Sequence, residues 1–269
     1  MATPTFDAAA AVTLAIGGHD PSGGAGIQAD SEAIVALGGY AASAITCLTI
    51  QDTRNVQQLI PIDPSVVTAQ AEAVLADLPV NTIKIGLVGS AAVAHALAQL
   101  LKKHPGIPVV LDPVLAAGGG TSLASDALRQ TLLQELLPLA CLATPNSQEA
   151  RALASASDLD RCAEILLQHG CQQLLITGTH EEGSEVVNSL YGPKGLIEQW
   201  QWPRLPGEYH GSGCTLAAAA AALLAQGESL TEATYHAQDF AWQSLANAYR
   251  LGRGQALPNR LHSLRQHPL

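Results

Sequence analysis

The sequence predicts an α/β chain in three layers, with a mostly parallel central sheet between two layers of helices. Three observations carry that reading. Short apolar runs alternate with helix-periodic segments along 269 residues, as repeated strand-helix-strand units do. Nearly half of the residues are apolar (48%) but only 4% are aromatic, so Ala, Leu, Val and Ile must fill a core of helices laid on a sheet. Glycine-rich and polar clusters follow the strand-like runs, and in such sheets ligands sit outside the carboxyl ends of the strands.

The elements follow in order. VTLAIG, residues 12–17, is a buried strand, and residues 27–37 form a helix with Ile27, Ile34 and Leu37 on one stripe and Gly38-Gly39 as its stop. ASAITCLTI, residues 42–50, is the next strand. Residues 64–78 are helical, with Pro64 in the first turn and Val67, Ala71, Val74, Leu75 and Leu78 on one face. TIKIGLV is a strand, residues 90–104 a helix, IPVVLDPV a strand, and residues 122–137 a helix. LACLATPN is a strand with two short helices after it, and CQQLLITG is another strand. Residues 185–202 hold two antiparallel strands around the turn Gly192-Pro193-Lys194-Gly195. Residues 213–225 and 230–249 are the closing helices, and the tail after Gly252 is irregular. No repeat, linker or composition break divides the chain, so residues 1–269 are expected to form one domain.

Charge excludes some partners. The net charge is −10 with 13 Lys and Arg, so neither a nucleic-acid footprint nor a polybasic membrane patch is present. A bound phosphate would be held by backbone N–H groups, helix N-termini and a metal. The five cysteines, Cys47, Cys141, Cys162, Cys171 and Cys214, form no C-x-x-C pair and match no zinc spacing, which predicts a reduced, cytoplasmic protein. The apolar patch Ala8 to Ile16 has no positive charge before it, since the first Lys or Arg is Arg54. A signal peptide is therefore not expected, and the longest apolar run, residues 216–225, is too short to span a bilayer.

The loop GGHDPSGGAGIQAD, residues 17–30, is open to three readings: a plain strand-to-helix connection, a dinucleotide-binding turn, or one wall of a small-molecule pocket. Gly24 to Ala29 formally matches G-x-G-x-x-A, but Gly18 to Gly23 separate it from the strand, which argues against a dinucleotide turn. No Gly-Lys pair occurs in the chain, which excludes a P-loop.

YHGSGCTLAAAAAALLAQG, residues 209–227, is the most informative stretch. Gly211, Ser212 and Gly213 open an alanine-rich helix whose free N–H groups and dipole can hold an anion without a lysine. The plainer reading is a glycine-rich cap with Ser212 as capping residue. Cys214, in the first turn, is expected to have a lowered thiol pKa. Asp112 ends a strand and is either a loop cap or a metal-side acid. Asn146 and Glu149, three apart at a strand-to-helix junction, are either a capping pair or part of a Mg²⁺ site, since Mg²⁺ uses one or two carboxylates with waters and phosphate oxygens. Gln51 is either a surface glutamine or an amide that reads a heterocycle bearing an amino group beside an acceptor nitrogen. His19 and His210 lack a third ligand at metal spacing and read as loop or pocket residues.

GGHDPSGGAGIQAD, AITCLTIQDT, KIGLV, VVLDPVL, TPNSQEA and HGSGCTLAAAAAALLAQG occur in the order seen in hydroxymethylpyrimidine/phosphomethylpyrimidine kinases, which the chain resembles from about residue 12 to residue 226. Six co-linear motifs make the resemblance specific. It implies a ribokinase-like fold and a homodimer. It also implies ATP- and Mg²⁺-dependent phosphorylation of 4-amino-5-hydroxymethyl-2-methylpyrimidine, then of its monophosphate to the diphosphate, in thiamin biosynthesis. By the same resemblance Gly18, Asp30, Gln51 and Val114 would line the pyrimidine pocket. Gly211, Gly213 and Cys214 would form the anion hole and catalytic position, with Asn146, Thr177 and Ser212 on the nucleotide and phosphate side. Asp112 and Glu149 would lie on the metal side.

Two departures bear on the nucleotide. The family often has Ala-Lys-Ser-Gly where this chain has Ala117-Gly118-Gly119-Gly120, and Lys-Gly-Gly-His where it has Thr177-Gly178-Thr179-His180. A phosphate-facing lysine is thus absent at Gly118. Cys214 occupies the place of the aspartate base of many related sugar kinases, and a thiolate there is the expected base for the first phosphorylation. Two rival functions are a pyridoxal kinase, since pyridoxal also offers a ring nitrogen and a hydroxymethyl group, and a catalytically weak pyrimidine-binding regulator.

Overall fold

The computed structural model describes residues 10–121 and 123–263. Ala8 and Ala9 of the N-terminal apolar patch, and Ser122 at the start of the fourth expected helix, lie outside the described residues.

Nine strands form one sheet in the order β3-β2-β1-β4-β5-β6-β7-β8-β9. They are β1 (Val12–His19), β2 (Tyr40–Gln51), β3 (Val56–Pro61), β4 (Val80–Ile85), β5 (Val109–Leu111), β6 (Leu142–Ala143), β7 (Gln173–Thr177), β8 (Glu185–Gly192) and β9 (Gly195–Pro203). β2, β1, β4, β5, β6 and β7 run parallel. β3 pairs antiparallel with β2, and β8 and β9 are antiparallel at the other edge. The central strands are continuous apolar runs because both faces are covered.

Alternate strand residues feed two cores. Leu14, Ile16, Ile83, Ile85, Leu111 and Ile176 pack in one layer with α2 (Pro64–Asp77), α3 (Ala91–Lys102), α4 (Asp126–Thr131), α5 (Ser147–Ala154) and α6 (Leu159–Gln168). Ala15, Val110, Leu142 and Leu175 pack in the other with α1 (Gly26–Ala36), α7 (Ser212–Ala225) and α8 (Leu230–Ala246). Every residue of α7 from Thr215 to Leu223 is buried. A helix apolar all round belongs in an interior, and alanines let α1 and α8 approach it closely.

The expected helices occur where local chemistry stops and starts them. Asp63 caps α2 through Ser65 N with Pro64 at its first position, and Ser90 caps α3 through Val93 N. Two expectations need correction. The helix expected over 122–137 is α4, capped by Ser125, then one π-turn (Leu132–Leu136) and one 3₁₀ turn (Leu137–Leu139); Pro138 cannot continue the α pattern. Strand β3 lies where no element was expected. Its exposed residues give no alternation, and it exists because the free edge of β2 accepts it.

Candidate active site

All the sheet-end clusters meet in one cavity of about 510 Å³ above the carboxyl ends of the parallel strands. Gly18, Gln51, Val114, Asn146, Thr177, Ser212, Gly213 and Cys214 all line it.

One wall is the loop after β1. Asp20 folds it: Ser22 N and Oγ donate to Oδ1 at 2.8 and 2.7 Å, and Ala25 N donates to Oδ2 at 2.8 Å. His210 Nε2 lies 2.8 Å from the same Oδ2, which joins this loop to the one before α7. Burial opposes ionisation of Asp20, but the hydrogen bonds from His210 and Ser22 outweigh it and hold the carboxyl well below the usual range. At Gly18 an added Cβ would meet Cys47 Sγ at 2.8 Å and Leu87 Cδ2 at 3.2 Å, so only glycine brings this backbone to the cavity.

The opposite wall is the start of α7. Its N-cap is Gly211, at φ +83°, with no side-chain cap. The capping role expected of Ser212 is therefore corrected: Ser212 is the first helical residue, and the N–H groups of the first turn stay available for a ligand. A Cβ on Gly211 would strike the Gly24 carbonyl, so the two glycine segments touch through bare backbone. Gly213 is exposed to the cavity, and a Cβ there would lie 3.9 Å from both Asp112 oxygens.

Beneath them is a cluster of charges. Lys84, in β4, is 0% exposed and donates to Asp30 Oδ1 and Oδ2 at 2.7 and 2.9 Å. Burial opposes its charge, but Asp30 and then the neighbouring Cys214 and Asp112 outweigh that and hold the ammonium above the usual lysine range. Asp30 lines the cavity as expected, with both of its oxygens engaged by Lys84. Cys214 also needs correction. Burial, with Asp112 and Asp30 nearby, pushes its thiol up to about 12 against the pull of Lys84, so at neutral pH it is a thiol. The lowering expected at a helix start is not found, because desolvation and the neighbouring carboxyl groups outweigh Lys84.

Asn146 and Glu149 form the capping box of α5. Glu149 N donates to Asn146 Oδ1 at 2.9 Å, and Asn146 N donates to Glu149 Oε2 at 3.0 Å. Leu115 N donates to the other Glu149 oxygen at 3.2 Å. Burial, then the Asp112 charge, pushes Glu149 up to about 8. Burial, opposed by Lys84, raises Asp112 to about 6. Asp112 Oδ2 is buried without a hydrogen-bond partner. Lys84 acts on Asp30 and Asp112 but not on Glu149, and one Asp112 oxygen is left unpaired, so Asp112 and Glu149 form a hard-oxygen pair short of positive charge. That fits a divalent cation that keeps several waters of its own, and Asp112 and Glu149 would hold it. Among the described residues, no group of three or more His, Cys, Asp and Glu is arranged to hold a metal ion.

The nucleotide-side departures lie on this cavity too. Thr177 ends β7 and pairs with Asn146. Arg204 donates to the carbonyls of Thr179, Glu181 and Gly183 at 2.8, 2.7 and 2.7 Å, which fixes the turn between β7 and β8. Gly118, where the lysine is absent, lies against Gln255, whose amide donates to its carbonyl at 3.2 Å.

A family model described as phosphomethylpyrimidine kinase matches residues 20–259. The chain belongs to this family. Among its relatives, the hydroxymethylpyrimidine/phosphomethylpyrimidine kinase of Rhizobium meliloti (strain 1021) is 38% identical over 257 residues, 91% of this chain and 94% of the relative. Of solved structures, an ADP complex of Bacillus subtilis pyridoxal kinase superposes with TM-score 0.88 at 29% identity, covering 96% of this chain and 100% of that one. A phosphomethylpyrimidine kinase from Clostridium difficile 630 does so with TM-score 0.75 at 34% identity, covering 86% and 97%. Membership makes the chain a phosphotransferase of ribokinase-like fold, as its layers and motifs predicted.

The sequence reading missed Lys84 and the Asp20–His210 bridge in this family member's site, and behind it Arg260, whose Nη2 donates to Gly24 O. Lys84 left a signal, a single charge inside the apolar run TIKIGLV, set between Ile83 and Ile85 on the opposite face. Arg260 left none, because its partners lie far away in sequence.

Proposed function

We propose that the chain transfers the γ-phosphoryl group of ATP to the hydroxymethyl group of 4-amino-5-hydroxymethyl-2-methylpyrimidine, and then to the resulting monophosphate, for thiamin biosynthesis. The observation that carries this reading is the single cavity. One wall is the side-chain-poor loop after β1, with Gly18, Gln51 and Val114 lining the cavity from the ends of three strands, suited to a flat heterocycle. The other is the uncapped first turn of α7, suited to phosphates.

Phosphoryl transfer depends on positioning and on spreading charge over the transferred group. The Gly211–Cys214 backbone supplies N–H donors for that charge. Asp112 and Glu149 would hold Mg²⁺, which when bound would neutralise phosphate charge. Because Cys214 is a thiol at neutral pH, it does not take the alcohol's proton in advance; it lines the cavity where transfer would occur. A loose transition state needs little prior deprotonation. Thr177, Asn146 and the turn held by Arg204 flank the nucleotide.

A pyridoxal kinase is the second reading, favoured by the close superposition on the Bacillus subtilis enzyme. The test is a mass-resolved assay of both alcohols with ATP. Pyrimidine monophosphate followed by diphosphate is expected. Faster turnover of pyridoxal, or no diphosphate, would overturn the pyrimidine reading, and no turnover with retained pyrimidine binding would favour a regulator.

The family's homodimer is supported by an apolar patch at the β2–β3 edge, where Leu48 and Ile60 are cross-strand neighbours and Ile50 lies beside them, each 41–47% exposed. A cytoplasmic location is supported by five unpaired cysteines. No helix among the described residues is long and apolar enough to cross a membrane.

A further inference from the structure

The two glycine segments that form the cavity, residues 23–26 and 211–213, meet through bare backbone. Gly24 carries no side chain, and neither does Gly211, whose α-carbon sits against the Gly24 carbonyl. Their φ values lie in the left-handed region at Gly23 (+73°), Gly26 (+63°) and Gly211 (+83°). Such segments have the conformational freedom to drift apart, so their registration must come from groups outside them. On one side it comes from Asp20 and His210.

On the other side it comes from Arg260. The irregular chain after α8 returns along the loop before α7, with Ala256 N donating to Glu208 O and His210 N to Ala256 O, both at 2.9 Å. It delivers an arginine that is 1% exposed. Its Nε donates to Thr215 Oγ1 at 2.8 Å, and Nη1 to Glu32 Oε2 at 3.1 Å and Gly23 O at 3.4 Å; Nη2 donates to Gly24 O. The Thr215 hydroxyl in turn donates to Gly211 O at 2.8 Å. One planar guanidinium therefore grips the carbonyls of the ring-side loop directly and the cap of the phosphate-side helix through one hydroxyl. It is anchored to α1 through Glu32. An ammonium is a point charge and cannot span these directions at once.

We infer that Arg260 is a positioning residue for phosphoryl transfer, holding the loop at Gly23–Gly24 and the anion hole at Gly211 in the register that brings acceptor and phosphate together. The inference rests on the kinase reading for its kinetic consequence and on the hydrogen bonds alone for its structural one. A displacement of about 1 Å between reacting groups can cost about 10²-fold in rate.

The test compares Arg260→Ala, Arg260→Lys and Thr215→Val with the unaltered chain, each first checked for a cooperative thermal transition. Turnover is measured with whichever alcohol the unaltered chain phosphorylates, and ADP affinity is measured by calorimetry. Expected for Arg260→Ala is a kcat lower by about 10²-fold, with KM for the alcohol changed far less, and partial recovery of kcat with added guanidinium but not with urea at the same concentration. Arg260→Lys keeps the charge and should fold, yet lose most of the rate; Thr215→Val should lose about tenfold, since it cuts only the link to Gly211. ADP affinity should fall in all three. If Arg260→Ala does not fold, the other two variants decide. A folded Arg260→Lys with undiminished kcat and ADP affinity would overturn the inference, as would a loss in Arg260→Ala that guanidinium does not restore. If the unaltered chain turns over neither alcohol, the proposed acceptors fail, while ADP affinity still reports on Arg260.

Discussion

Cys214 and Asp20 show how environment decides what a side chain does. A cysteine in the first turn of a helix is often activated, but here desolvation beside Asp112 and Asp30 outweighs Lys84. Cys214 should therefore resist iodoacetamide at neutral pH and become labelled only as the pH nears about 12, read by mass spectrometry of its own peptide. With no thiolate base to lose, Cys214→Ala should slow both phosphorylations alike; a loss confined to the first step would restore the thiolate base. Asp20 is the reverse case, a buried carboxyl held ionised by its donors. Its folded pKa lies below the unfolded 3.8, so on acidification the unfolded chain takes up the proton first. The stabilisation is complete above the unfolded value and is lost as the pH falls through the folded one. Thermal melts of Asp20→Asn should show lower stability near neutrality and a flatter decline between about pH 4 and pH 2 than the unaltered chain; parallel acid limbs would count against this.

Among the elements, α7 carries the most consequence for function. Its alanine face lets it lie in the middle of a layer, and the φ of +83° at Gly211 leaves its first N–H groups pointing into the cavity. Gly211→Ala would put a methyl group into the Gly24 carbonyl in a conformation that costs an L-residue about 1–3 kcal/mol before any clash. The expected result is a lower melting temperature and a loss of both phosphorylations of about 10²-fold or more. Unchanged kinetics in a folded variant would remove this turn from the phosphate site. Legibility also varied by element. β1, α2, α3 and the β8–β9 hairpin announce themselves by period, proline and turn residues. β3 does not, because an edge strand with exposed side chains carries no burial pattern, and the π-turn after α4 looks in sequence like more helix.

On the scale of the whole molecule, one sheet gathers clusters far apart in sequence. Residues 17–30, 51, 112–118, 146–149, 177–180 and 209–214 reach one cavity because parallel strands all end on the same side. The opposite end of the sheet's span, at β2 and β3, leaves Leu48, Ile50 and Ile60 exposed. Leu48→Asp with Ile60→Asp should convert a dimer to a monomer in sedimentation velocity without unfolding it. A chain that is monomeric before substitution, or dimeric after it, would move the interface elsewhere.

The sequence by itself determined the layered α/β architecture, the kinase family and most of the residues around the cavity. Hydrophobic period, caps and glycine placement are local properties written in consecutive residues. Only the tertiary structure decided that Asp30 serves Lys84, that Cys214 stays protonated and that Arg260 ties two glycine segments together. Charge state and registration depend on which groups burial brings within a few ångströms, and those neighbours are set by the packing of elements distant along the chain.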